Sequence, residues 1–97
     1  LIFDEIDSGT SGKVANVIGD LMKKIGFESQ IIAISHLAQV AAKASNHFKV
    51  YKILSSNKPK TLLRKLNHEE RIEEIAAMIS ADNITNPALD QAIELLK

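Results

Sequence analysis

Residues 1–12 read Leu1-Ile2-Phe3-Asp4-Glu5-Ile6-Asp7-Ser8-Gly9-Thr10-Ser11-Gly12. The apolar run Leu1–Phe3 is continuous rather than alternating, which predicts the end of a strand that is buried on both faces. Asp4 and Glu5 follow at once, and a loop of small polar residues comes next. The pattern predicts acidic groups at the rim of a sheet, although an Asp-Glu pair here is also typical of a solvated strand end and turn.

A second apolar run, Ile31-Ile32-Ala33-Ile34, ends in Ser35-His36. We expect a strand over Gln30–Ile34, one strand–helix–strand unit after the first run. A unit of this length predicts a parallel pair joined by a right-handed crossover. Ligands bind beyond the carboxyl ends of the strands in open α/β sheets, so Asp4-Glu5 and Ser35-His36 are expected together at a functional edge.

The segment between these two strands has the pattern of an amphipathic helix. Its apolar residues recur at helical spacing from Val14 to Ile25, with Ser11 as a candidate N-cap and Gly26 as a candidate stop. A shorter, alanine-rich helix is predicted over Leu37 to Ala44.

A hairpin is predicted in the middle of the chain. Phe48–Leu54 largely alternates apolar and polar residues, Ser55–Pro59 supplies turn chemistry, and Lys60–Leu66 is again extended. We expect a basic outer face, since the two strands and the turn carry Lys49, Lys52, Lys58, Lys60, Arg64 and Lys65. Such runs are usually solvated faces, and contact with a nucleic-acid backbone is the alternative.

Two further helices are predicted after the hairpin. Asn67 with Glu70 three residues later forms a capping-box pattern, and apolar residues continue at helical spacing to Ile79. The last helix is expected to start near Thr85-Asn86-Pro87, because proline fits the first turn of a helix.

Composition narrows the class of protein less than the motifs do. The chain has 97 residues, with 12 basic and 12 acidic side chains and no cysteine. The balanced charge gives no indication of nucleic-acid or membrane binding, and the lack of cysteine excludes disulfides. No run of about eighteen apolar residues occurs, which favours a cytosolic chain. Because Leu1 already lies inside a strand pattern, we interpret the sequence as a piece of a longer protein.

The predicted edge carries groups suited to phosphate chemistry. Asp4 is a hard oxygen ligand for Mg²⁺, and Glu5, pointing to the other side of the strand, is placed to act as a general base on water. His36 could hydrogen-bond a phosphate oxygen, although a partly exposed turn histidine is the alternative. His47 and His68 are expected at the surface, since the sequence identifies no partner for either.

Three motifs in this order resemble the ABC-type ATPases. Leu1–Glu5 is similar to a Walker B strand, Ser8–Ser11 falls where the D-loop lies, and Ser35-His36 is similar to the switch histidine after the next strand. The longer strings Phe3–Ala15 and Ile34–Ala44 narrow the resemblance to the carboxyl-terminal end of the RecN family, SMC-like proteins of bacterial double-strand-break repair. The resemblance covers essentially the whole chain.

The resemblance implies a role for each matching residue. Asp4 would help hold Mg²⁺, Glu5 would position or deprotonate the attacking water, and His36 would contact the γ-phosphate of ATP. Ser8, Gly9, Thr10 and Ser11 would face a second head across an ATP-sandwiched dimer. One departure is Ala38, where the family commonly has proline, which could loosen the turn without removing the chemistry.

The expected fold is therefore α/β, the carboxyl-terminal portion of an ABC-type P-loop ATPase head, with residues 1–97 as one partial domain. The phosphate loop, the Q-loop, the Leu-Ser-Gly-Gly signature and a coiled coil are absent from this sequence. We expect an ATPase only in the complete protein, which would also bind DNA and lie with the nucleoid in the cytoplasm. The alternatives are a head fragment of another SMC-type or transporter ATPase, or a non-catalytic interaction module.

Overall fold

The computed structural model describes residues 1–5, 9, 12–80 and 83–97. The chain is a mixture of helices, one parallel strand pair and one antiparallel hairpin. In chain order, the elements are β1 (Ile2–Asp4), α1 (Gly12–Gly26), β2 (Ile32–Ile34), α2 (Ala38–Ala41), β3 (Phe48–Ser55), β4 (Lys58–Lys65), α3 (His68–Ile79) and α4 (Asn86–Leu95). The order and type of these elements confirm the sequence prediction.

The two short strands β1 and β2 pair in parallel, as predicted. Ile2 lies opposite Ile32 and Asp4 opposite Ile34. The amide of Ile32 donates to the carbonyl of Leu1 at 2.9 Å, which begins the ladder. The second strand is shorter than the predicted Gln30–Ile34. Both strands therefore end at the same edge of the sheet, and α1 makes the connection between them.

The predicted burial of β1 on both faces is wrong for this chain. Leu1 is 65% exposed, Ile2 72% and Ile32 51%. The sheet has two strands, so each strand has an open edge and the apolar side chains lack a covering layer among the described residues. A continuous apolar run of this kind is typical of strands inside a larger parallel sheet.

Helix α1 lies very close to α2 because small residues face the contact. Ala15 is fully buried, and Gly19 is buried beside it. A Cβ atom on Gly19 would lie 3.1 Å from the carbonyl oxygen of Gln39 and 3.0 Å from Cγ of Lys43, so glycine permits this approach. The Nζ atom of Lys43 also pairs with Asp20 at 2.9 Å.

The carboxyl end of α1 agrees with the predicted helix boundary. The helix includes Gly26 as its last residue, where the sequence predicted the stop. Ser11, the candidate N-cap, lies outside the described residues.

The main hydrophobic core lies between α2, α3 and α4. Its buried residues are Ala38, Ala42, Ile75, Ala76, Ala88 and Ala92. Ile75 is the largest side chain that is fully buried. Most of these buried residues are alanines, whose small side chains allow helices to pack closely, and Ile75 is the large side chain among them.

The hairpin formed by β3 and β4 has a tighter turn than predicted. Ser55 already pairs with Lys58, so the connection is Ser56-Asn57 rather than Ser55–Pro59. Both loop residues are left-handed, with φ of 52° and 62°. This conformation is that of a type I′ turn, which matches the twist of the two strands.

Both predicted helix starts after the hairpin are confirmed. The Asn67 side chain accepts a hydrogen bond from the amide of Glu70 at 2.8 Å, and the Glu70 side chain accepts from the amide of Asn67 at 3.0 Å. Thr85 caps α4 by accepting from the amide of Ala88, and Pro87 lies in the first turn. No helix in the described ranges is long and apolar enough to cross a membrane.

Candidate functional site

The acidic edge is built by the end of β1. Asp4 is the last residue of the strand, Glu5 follows it, and both side chains are exposed. Glu5 adopts φ of +51°, in the left-handed region. A residue with a Cβ atom adopts this region at a cost of about 1–2 kcal/mol. Such outliers concentrate at functional sites, so this conformation marks Glu5 as a candidate.

The switch histidine candidate lies on the neighbouring strand end. The amide of Glu5 donates to the carbonyl of Ile34 at 2.8 Å, which extends the parallel ladder one residue beyond β1. His36 is two residues further along and is exposed. The structure thus brings the backbones of Asp4, Glu5 and His36 to the same edge of the sheet.

Ser35 shapes the turn that follows β2. Its Oγ accepts a hydrogen bond from the amide of Leu37 at 3.0 Å. Leu37 is the N-cap residue of α2 in extended conformation. The chain therefore turns from strand to helix within the three residues Ser35 to Leu37, and His36 lies at the middle of this turn.

The loop after β1 can be compared with the prediction only at one position. Gly9 has φ of +79° and is exposed, and a Cβ atom there would meet nothing within 4 Å. Its glycine is required by the backbone conformation rather than by crowding. The predicted loop residues Ser8, Thr10 and Ser11 lie outside the described residues.

The described residues of the edge offer few possible metal ligands. Within the described ranges, no group of three or more His, Cys, Asp or Glu side chains is arranged to hold a metal ion. Asp4 offers one exposed carboxylate. This fits Mg²⁺, which is commonly bound through one or two carboxylates together with phosphate oxygens and water.

A second polar cluster lies between the hairpin base, α2 and α3, and it corrects the prediction for His47. His47 is half-buried rather than at the surface, and its Nδ1 has no hydrogen-bond partner among the described residues. Burial, followed by the nearby cation of Arg71, lowers the pKa of His47 and favours its neutral form. His68, by contrast, is exposed as predicted.

The basic face of the hairpin is also partly engaged. Lys49 pairs with Glu74 at 2.7 Å, and Arg64 forms an ion pair with Glu70. Both glutamates belong to α3, so these two cations tie the hairpin to the helix instead of facing only solvent. Lys49 and Arg64 line a groove of about 240 Å³ together with residues of α3.

Arg71 is the polar residue that sequence reasoning missed. Its Nη2 donates to the carbonyls of Ala44, Ala41 and Ala42 at 2.9, 3.3 and 3.5 Å. These partners are backbone atoms 27 to 30 residues away in sequence. The available signal was weak: Arg71 is the single cation among four glutamates in α3.

The chain thus has a mixed α/β fold in which a parallel strand pair presents two acidic side chains and a histidine at one edge. Comparison with known proteins adds the family. A DNA repair protein RecN from Rickettsia conorii is 46% identical over 96 residues, which are 99% of this chain and 18% of that protein. RecN of Bacillus subtilis is 39% identical over 97 residues, covering 100% and 17%.

A third relative, RecN of Vibrio cholerae, is 41% identical over 96 residues, covering 99% of this chain and 17% of that protein. No protein-family model matches the chain. The resemblance to the RecN family is confirmed, because essentially the whole chain matches the carboxyl-terminal part of these proteins. The chain spans less than a fifth of the length of the curated relatives that it matches.

Proposed function

We propose that this chain supplies the metal- and water-side part of an ATP-hydrolysing head in a RecN-type DNA repair protein. The hydrogen bond from the Glu5 amide to the Ile34 carbonyl, 2.8 Å long, carries the proposal. This bond joins the backbone of Glu5, the candidate base after β1, to the end of β2, which leads to His36. The similarity to RecN DNA repair proteins over 99% of the chain supports it.

The proposed head belongs to the ABC-type P-loop class, and this chain would be its carboxyl-terminal portion. In this proposal, β1 would be the Walker B strand of the head, and α1 and β2 would be the helix and strand that follow it. The exposed apolar side chains of Ile2, Ile32 and Ile34 are then the surfaces on which further strands and helices of the head pack.

Asp4 is proposed to hold Mg²⁺ through its carboxylate. One exposed carboxylate at a strand end suits this role, because Mg²⁺ is usually bound by one or two carboxylates together with substrate phosphates and water. Bound Mg²⁺ would offset the negative charge on the β- and γ-phosphate oxygens of ATP.

Glu5 is proposed to act on the attacking water, and His36 on the γ-phosphate of ATP. The Glu5 carboxylate would orient the attacking water and accept its proton. Glu5 lies one residue beyond Asp4, and its left-handed backbone conformation ends the extended conformation of the strand. His36 would donate a hydrogen bond to a γ-phosphate oxygen, where a fixed donor stabilises charge in the transition state.

The loop at residues 8–11 is proposed to face a second head of the same protein. Gly9, with its left-handed backbone, gives this loop a turn that other residues adopt with difficulty. ATP would then lie between two heads. The complete protein would act on DNA in the cytoplasm, at the nucleoid.

The direct test is the substitution Glu5→Gln in the complete protein. Glutamine keeps the size and hydrogen-bonding capacity of the side chain but cannot accept the proton, so steady-state hydrolysis should fall by about 100-fold or more while ATP binding persists. Glu28→Gln is the matched control, because Glu28 is an exposed carboxylate in the turn after α1. It should leave hydrolysis unchanged.

Normal turnover by Glu5→Gln would overturn the role of Glu5. The 97-residue chain by itself should not hydrolyse ATP, since its sequence contains no phosphate loop. Robust hydrolysis by this chain would contradict the proposal that another part of the protein grips the nucleotide.

A second candidate function is an interaction module without chemistry. The observation in its favour is the exposed apolar surface, which includes Leu1 at 65% and Ile2 at 72% exposure. Association of the chain in the absence of nucleotide would favour the module. Association only in the complete protein and only with ATP would favour the ATPase.

A further inference from the structure

Arg71 joins α3 to the end of α2. Its Nη2 atom lies 2.9 Å from the carbonyl oxygen of Ala44, 3.3 Å from that of Ala41 and 3.5 Å from that of Ala42. These carbonyls belong to the last turn of α2 and the residues after it. Carbonyls at the end of a helix have no partner within the helix, and a cation placed there is favourable.

Two other charged residues of α3 contact the hairpin rather than α2. Glu70 pairs with Arg64 and Glu74 with Lys49, so both of these glutamates are directed to the hairpin. Arg71 is half-buried, and its Nε has no hydrogen-bond partner among the described residues. The carbonyls at the end of α2 therefore compensate for the partial burial of this cation.

Helix α2 needs such support because it is very short. It has 4 residues, and a single turn of helix is not stable by itself. At its start, the Ser35 hydroxyl accepts from the amide of Leu37. At its end, Arg71 donates to the carbonyls of Ala41, Ala42 and Ala44, of which that of Ala41 also accepts from the amide of Ala44 at 3.3 Å. Side chains therefore make hydrogen bonds just before the helix and at its carboxyl end.

His36 lies between two fixed points. On one side is Ile34, whose carbonyl accepts from the amide of Glu5 at 2.8 Å. On the other side is α2, which begins at Ala38 and packs against α1 and α3. Movement of α2 would release the second fixed point and leave His36 attached only through β2.

We infer that Arg71 is a positioning residue for His36: by holding the carboxyl end of α2, it fixes the turn that presents the histidine to the phosphate. This inference rests on the proposed function. It predicts an effect on turnover rather than on nucleotide affinity, because Arg71 lies at the far end of α2 from the proposed ATP site.

The test is a double-mutant cycle in the complete protein, with steady-state kcat and KM for ATP as readouts. Arg71→Ala should lower kcat by about 10-fold with little change in KM, since a small displacement of a reacting group is enough for such a loss. Arg71→Lys should recover part of the rate, because an ammonium group can still donate to the carbonyls. In a His36→Ala background, Arg71→Ala should cause no further loss.

Arg64→Ala is the matched control. It removes an ion pair between the hairpin and the same helix α3 without touching α2. Thermal unfolding of each variant measures any loss of stability. We expect Arg64→Ala to leave kcat unchanged, whereas Arg71→Ala lowers it at temperatures where both variants remain folded.

Two results would overturn the inference and leave the proposed function standing: losses that multiply in the double variant, or equal losses of kcat in Arg64→Ala and Arg71→Ala. Arg71 would then support the fold in general. Unchanged turnover in His36→Ala would overturn the proposed role of His36 itself, and the inference with it.

Discussion

The strand region, comprising β1, α1 and β2, and the core region, comprising the helices α2, α3 and α4 without the hairpin between them, bury their apolar residues very differently. In the strand region Ile2 is 72% exposed and Ile34 53%, whereas Ile75 in the core region is fully buried. The candidate site lies at the edge of the exposed strand region. The buried core that stabilises the chain and the proposed catalytic residues therefore lie in different regions. Helix α2 belongs to the core region and also packs against α1 of the strand region.

The largest effect is expected from emptying the core. Ile75→Ala should lower the free energy of unfolding by about 2–5 kcal/mol, because it removes a buried side chain and leaves a cavity. Chemical denaturation of the 97-residue chain, followed by circular dichroism, measures this. Ile2→Ala is the paired variant, and it should cost less than about 0.5 kcal/mol because Ile2 is mostly exposed. Equal losses of unfolding free energy in the two variants would contradict the difference in burial between the regions.

The contact between the two regions should be the next most sensitive place. Gly19→Val should destabilise the chain by about 1–3 kcal/mol, because a Cβ atom there already meets the Gln39 carbonyl oxygen at 3.1 Å. Gly26 is the control, since a Cβ atom there meets nothing within 4 Å. Gly26→Ala should be neutral or slightly stabilising in the same denaturation experiment. A stable Gly19→Val variant would mean that α1 does not depend on its close approach to α2.

The smallest of these effects concerns the start of α3. Asn67→Ala removes the hydrogen bond to the Glu70 amide and should cost about 1 kcal/mol of unfolding free energy. Asn16→Ala, on the exposed side of α1, should instead have no destabilising effect, because alanine is the better helix former. If both variants lost the same stability, the capping box would not contribute to the core region.

Local patterns predicted much of the fold. The spacing of two apolar runs around an amphipathic segment was enough to predict the parallel pair, and the Asn67–Glu70 spacing predicted the capping box. These features depend on residues near one another in sequence. The tight turn at Ser56-Asn57 was missed because Pro59 suggested a longer turn, whereas it lies in β4 opposite Leu54.

Burial and long-range polar contacts could not be predicted in the same way. The apolar run Leu1–Phe3 is typical of a strand covered on both faces, whereas actual burial depends on what packs against the strand, and among the described residues β1 pairs only with β2. His47 was predicted at the surface, since the sequence does not show that the cation of Arg71, which contributes to lowering its pKa, lies nearby. Arg71 itself was missed because backbone carbonyls leave no signature in a sequence.

The most direct test of the proposed site is the identity of the nucleotide held by the Glu5→Gln variant of the complete protein. The variant is incubated with ATP and Mg²⁺, separated from free nucleotide, and its bound nucleotide is identified by chromatography. If the Glu5 carboxylate accepts the proton of the attacking water, the variant should retain unhydrolysed ATP while the unsubstituted protein yields ADP. Bound ADP in the variant, formed at the rate of the unsubstituted protein, would contradict the proposed site.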